Sequence, residues 1–167
     1  ELHDAPVSVR LDFLRAVQDP VLRREESAAL LALLLDEPKG AEMEGDPFVD
    51  LIRRGDAIVE TALIALSDPS PPPGPLGKRA RRWADRFTTL LPELFQLRFG
   101  AEAVEPTVRP LSAKLAGEYL HRAAALVVLL TSINLQKEDD RALAFSVCRD
   151  LSERTAAVQH NAIEFIE

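Results

Sequence analysis

"LSAKLAGEYLHRAAALVVLLTSINL", residues 111–135, decides the fold. It contains no proline and a single glycine, and its middle, "AAALVVLL" (123–130), is apolar on every side of a helix. A helix that is hydrophobic all round must be covered by other elements. Eight apolar residues fall far short of the roughly 20 needed to cross a bilayer. The stretch therefore predicts the central helix of an all-α fold with no membrane span.

The rest of the chain agrees with that reading. Leu and Ala are abundant, and no segment alternates apolar and polar residues as a half-buried strand would. "SVRLDFLRAVQ" (8–18) predicts a first helix closed by Asp19-Pro20, and "PVLRREESAALLALLLDE" (20–37) a second with proline in its first turn. An acidic loop, "DEPKGAEMEGDP" (36–47), follows. "FVDLIRR" (48–54) and "AIVETALIALSD" (57–68) read as two helices parted by Gly55-Asp56. "PSPPPGPLG" (69–77) is a proline-rich linker, since proline fixes φ and removes donors. The next helix carries Trp83, Phe87, Leu90, Leu91 and Leu94 on one stripe, with Pro92 expected to kink or restart it. The last begins near the helix-starting acids Asp139 and Asp140, with Leu143, Val147, Leu151, Val158, Ala162 and Ile166 as its expected buried face. Six or seven helices of this kind make a compact helical bundle or a short α-solenoid.

At 167 residues the chain suits a single all-helical domain, 1–167, with a substantial core. Its net charge of −7 argues against wholesale binding of nucleic acid or anionic membrane. Cys148 is the only cysteine, which excludes an internal disulfide and leans towards an intracellular, cytoplasmic setting. The start, "ELHDAPVSVRLDF", has neither the basic nor the apolar region of a signal peptide. It also lacks an initiating methionine, and the helical pattern still runs at "HNAIEFIE", so the chain is expected to be a fragment of a larger protein.

"PFVDLIRRGDAIVETALIALSD" (47–68) resembles an armadillo/HEAT-type unit: a proline-started short helix, a Gly-Asp break, then a helix ending in "ALIALS". The resemblance implies close helix approach at the small Ala62 and Ala65, with Leu63 and Leu66 filling the layer between repeats. "HRAAALVVLLTSIN" (121–134) and "RALAFSVCRD" (141–150) echo the second helix, but at unequal spacings where an array keeps its period.

No nucleophile elbow, phosphate loop or HExxH motif is present. Glu118 and His121 have the i, i+3 spacing of a di-iron bundle, but the second Glu-x-x-His is missing; His160 and Glu164 offer only an i, i+4 pair. Glu42, Glu44 and Asp46 alternate like a calcium loop, yet Arg53 stands at the twelfth position, where a bidentate glutamate is required. Cys148 reads as a small hydrophobe beside the last helix's stripe. Pro72 and Pro75 satisfy P-x-x-P, but Lys78 lies one place beyond the usual basic anchor; Ser70-Pro71 is a proline-directed phosphorylation pattern.

The distinctive feature is "KRARRWADR" (78–86), with five bases and one acid in an otherwise acidic chain. On a helix Arg79, Arg82 and Arg86 form one ridge while Trp83 points to the apolar stripe. An inward tryptophan is not placed to stack on a base. Positive charge in a first turn opposes the helix dipole, at about 0.3 kcal/mol or more per charge, so helix stability does not account for these cations. The expectation is a non-enzymatic scaffold or adaptor domain without a cofactor. It binds a protein or acidic peptide through Arg79, Arg82 and Arg86, with Arg53 and Arg54 beside them. The alternatives are a small apolar ligand held near Tyr119, His121 and the "AAALVVLL" segment, or a homo-oligomer formed through the last helix.

Overall fold

Asp19 starts the second helix as its sequence suggests: its carboxylate accepts from the backbone N–H groups of Val21 (2.8 Å) and Leu22 (3.1 Å), and Pro20 occupies the first turn. The computed structural model describes residues 2–36, 47–70, 77–99 and 108–164. After a single 3-10 turn come α1 (Val7–Ala16), α2 (Pro20–Leu34), α3 (Pro47–Ser67), α4 (Gly77–Phe99), α5 (Val108–Ser132) and α6 (Glu138–Glu164). No strand occurs among the described residues. The fold is an all-α helical bundle. Most of the acidic loop and of the proline-rich linker lies outside the described residues.

Helix α5 packs against α3, α4 and α6 and buries Tyr119, Leu120, Ala123, Leu126, Val127 and Leu130, but its apolar middle is not covered all round: Ala125 and Val128 are exposed. It shares the centre with α3, which packs against α1, α2, α5 and α6. No helix among the described residues is long and apolar enough to cross a membrane.

Helix α3 departs from expectation. The break at Gly55-Asp56 is absent, and one helix runs unbroken through both residues. A continuous helix keeps Ile52, Ile58, Val59, Ala62, Ala65 and Leu66 buried together. The gain from burying several such side chains, about 1.5–3 kcal/mol for each large one, outweighs the roughly 1 kcal/mol cost of a helical glycine. Helix α4 also continues through Pro92 as a single element.

The last helix is rotated from its expected phase. Leu151 is buried as expected and Val147 is half-buried against the core, but Ala144 and Cys148 are buried with Leu151 while Leu143 is 52% exposed. Large residues suggested one face, but the small Ala144 and Cys148 form the seam against α3 and α5, where helices pack closely. Cys148 therefore lies on the buried face rather than next to it. Val158 and Ala162 are not among the described side chains, and Ile166 lies outside the described residues.

Charged side chains tie the helices together. Arg10 on α1 meets Glu26 on α2 at 2.5 Å, with both side chains at least 95% buried. Arg15 reaches α3 through two bonds to Glu60, at 2.6 and 2.8 Å. Arg122 joins Glu118 of its own helix and Asp150 on α6, each at 2.9 Å.

Candidate functional site

Helix α4 is built with two opposed faces. Ala80, Trp83, Ala84 and Phe87 recur at i, i+3, i+4 and i+7 and are all buried, and the rings of Trp83 and Phe87 stack with centroids 4.9 Å apart. Its main neighbour is α5. The remaining positions of this half-helix, Lys78, Arg79, Arg81, Arg82, Asp85 and Arg86, are exposed. Thus Arg79, Arg82 and Arg86 lie on one outward face, as their spacing requires, with Lys78 and Arg81 broadening it. The side chains of Leu91 and Leu94 fall outside the description.

Ion pairing on this face is sparse. Arg79 Nε lies 3.1 Å from Asp36 Oδ1, just beyond the end of α2, with both side chains about half exposed (51% and 48%). Lys78, Arg81, Arg82 and Arg86 have no ion-pair partner among the described residues. The first turn of α4 holds no acid to offset Lys78 and Arg79. The described ion pairs thus leave four cations of this face, Lys78, Arg81, Arg82 and Arg86, uncompensated.

The second basic pair divides. Arg53 is exposed on α3. Arg54 is half-buried, and its guanidinium donates to the carbonyl of Leu34 (2.7 Å) and to that of Asp36. It caps the C-terminus of α2, whose last carbonyls have no partner within their own helix. Burial pushes Arg54 below the ordinary guanidinium pKa; nearby Asp50 and Asp36 act in the opposite direction, and Arg86 adds to the lowering. The influence of Arg86 places α3's Arg54 within electrostatic reach of the α4 ridge. Arg54 is thus engaged in capping α2, and Arg53 is the exposed member of the pair.

Asp36 is the residue that sequence reasoning missed. It stood among other acids in a loop, and nothing local distinguishes it. Its carboxylate meets the first turn of α4 while its backbone carbonyl is held by Arg54, so it links the end of α2 to the start of α4 and to the body of α3.

The other candidate chemistry dissolves into structure. Glu118 is taken by Arg122, and His121 is exposed. Among the described residues no three His, Cys, Asp or Glu side chains converge as a metal site would require. The side chains of His160 and Glu164 lie outside the description. Burial raises the Cys148 thiol from 9.0 to about 12, so it stays protonated at neutral pH and is a poor nucleophile.

Tyr119 is buried, with its hydroxyl 3.5 Å from Asp56 Oδ1. An open groove of about 540 Å³ between α1, α2 and α3, reaching Ser152 of α6, has an apolar floor of Leu14, Val59, Leu63 and Ile64. Others run along α5–α6 and beside the end of α3. Tyr119 and His121 line none of these three, and Ala125 is the member of the "AAALVVLL" segment that reaches one.

Compared with protein-family models, curated proteins and solved structures, the chain matches none.

Proposed function

We propose that this chain is a non-enzymatic protein-interaction domain of scaffold or adaptor type, binding an acidic segment of a partner protein through the outward face of α4. One observation carries the reading: Arg82 and Arg86, with Lys78 and Arg81, are exposed and lack ion-pair partners among the described residues. The first-turn cations Lys78 and Arg79 also oppose the dipole of α4, in a chain of net charge −7. Charges that do not stabilise their own helix are suited to recognition, where complementary potential sets association rate and partner choice. Buried Trp83 supplies no platform for stacking a base, which favours a protein partner over nucleic acid. Small Ala62 and Ala65 are buried in the α3 core as an armadillo-like unit would have them, although α3 lacks that unit's Gly-Asp break, and a single cysteine suits a reducing cytoplasm.

The test is affinity capture with the wild-type domain and an Arg79→Glu/Arg82→Glu/Arg86→Glu variant whose circular dichroism matches wild type. Acidic partners captured by the wild type and lost by the variant support the reading. Retention of every partner by the charge-reversed variant removes the ridge from the interface.

Self-association is a second reading. Leu143 is 52% and Val128 43% exposed on the paired helices α6 and α5. Sedimentation across a concentration series tests it: an oligomer in wild type that dissociates in Leu143→Ser would favour this surface.

A further inference from the structure

Asp36 occupies the place on the ridge that a partner's carboxylate would take. Its carboxylate lies 3.1 Å from Arg79 Nε, and its main chain is pinned by the buried side of Arg54. The anion itself is poorly placed for its own helix, because it follows the C-terminus of α2, where the dipole disfavours negative charge. Its carboxylate is met instead by Arg79 of α4. Exposed ion pairs of this kind exchange readily with other anions.

We infer that Asp36 is a built-in competitor for the ridge: it holds Arg79 until an acidic partner segment displaces it, and so sets the threshold affinity of the site. This rests on the proposed role of the α4 face. The partner chemistry follows from the group displaced, namely a Glu- or Asp-rich peptide whose side-chain carboxylates replace Asp36 at Arg79 while others meet Arg82 and Arg86. Neutralising Asp36 spares its backbone carbonyl, so Arg54 keeps its cap in Asp36→Asn.

Fluorescence anisotropy with a labelled octaglutamate peptide, and octaglutamine as control, measures the effect. Asp36→Asn binds octaglutamate about 1.5- to 5-fold more tightly than wild type, the range that one exposed ion pair supplies. In an Arg79→Gln background the same substitution changes nothing, which separates release of Arg79 from a general gain of positive charge. If Asp36→Asn leaves affinity unchanged, or tightens binding equally in both backgrounds, the competitor role is overturned. The ridge reading then survives, provided that Arg82→Glu/Arg86→Glu loses the peptide. If wild type and Asp36→Asn both fail to prefer octaglutamate over octaglutamine, ridge and competitor fall together.

Discussion

Substituting Gly55 by alanine separates two descriptions of the region 47–68. If Gly55-Asp56 marked a break between helices, glycine would be needed for its backbone freedom and alanine would be harmful. In the structure Gly55 lies inside α3 and faces α5. A methyl group there would sit 3.8 Å from Leu120 Cδ2 and 3.9 Å from both Ala123 Cβ and Tyr119 Cε1. These are ordinary van der Waals separations, so the methyl fits without moving its neighbours. Alanine then gains about 0.8–1 kcal/mol in a helix interior relative to glycine. For a chain of this size each kcal/mol shifts Tm by about 2–4 °C. Gly55→Ala should therefore melt about 2–4 °C above wild type, followed by circular dichroism at 222 nm. Gly55→Leu, too large for the same gap, should melt below wild type by a cost of about 1–3 kcal/mol. A fall of several degrees for Gly55→Ala would refute both the continuous helix and the space beside Ala123.

Two further perturbations probe the buried charge and the buried thiol. Glu26→Ala should destabilise the domain by about 3–5 kcal/mol, measured by urea unfolding, because Arg10 would keep a buried charge with no counterion and its Nη2 already lacks a hydrogen-bond partner; a loss under 1 kcal/mol would show the pair to be solvated. Cys148 should resist a thiol reagent at pH 8 until the protein unfolds, since it is buried and protonated. Its folded pKa is raised from 9.0 to about 12, so the unfolded chain loses this proton first and the thiol's contribution to stability, intact below about pH 9, is lost as pH rises towards 12. Wild type should thus lose stability relative to Cys148→Ala between pH 9 and 11, and parallel pH profiles would contradict that burial.

What the sequence made legible was periodic and local. The stripe Trp83–Phe87 and the all-apolar middle of α5 each specify a buried surface without reference to any other part of the chain; the stripe is buried as expected, and α5 is buried on most sides but not all, since Ala125 and Val128 are exposed. The ridge Arg79, Arg82, Arg86 is equally local, since helical spacing alone puts three residues on one side. The misreadings were of another kind. The phase of α6 depended on the seam that α3 and α5 offer, where Ala144 and Cys148 fit closely and Leu143 does not. The continuity of α3 depended on the neighbours of Gly55 across the α3–α5 interface. Arg54 looked like its neighbour Arg53 until the open carbonyls of α2 were brought beside it, and Asp36 gained its role from a helix far along the chain. Each is a property of two surfaces, and neither surface records it alone.

The distribution of charge gives the strongest reason to place recognition on α4. Elsewhere, several cations hold helices to one another: Arg10 to Glu26, Arg15 to Glu60, Arg122 to Asp150, and Arg54 to the end of α2. Removing any of these leaves an interhelical contact incomplete. Arg24, Arg53 and Arg149 are scattered exposed cations without an ion pair among the described residues. Helix α4 instead docks on α5 through Ala80, Trp83, Ala84 and Phe87, an apolar contact that needs no charge. Its outward arginines could be glutamates or lysines of alternating sign, and the docking would be unchanged. A mixed surface would also suit the helix dipole better than cations in the first turn do. Among the described residues, the one acid paired with the ridge is Asp36, on Arg79; it is exposed and follows the C-terminus of its own helix, where negative charge is disfavoured. Apart from Arg79's pair with Asp36, the ridge ties α4 to no other helix among the described residues, its first-turn cations carry a small cost in helix stability, and the proposed acidic partner is the chemistry that would make that cost useful.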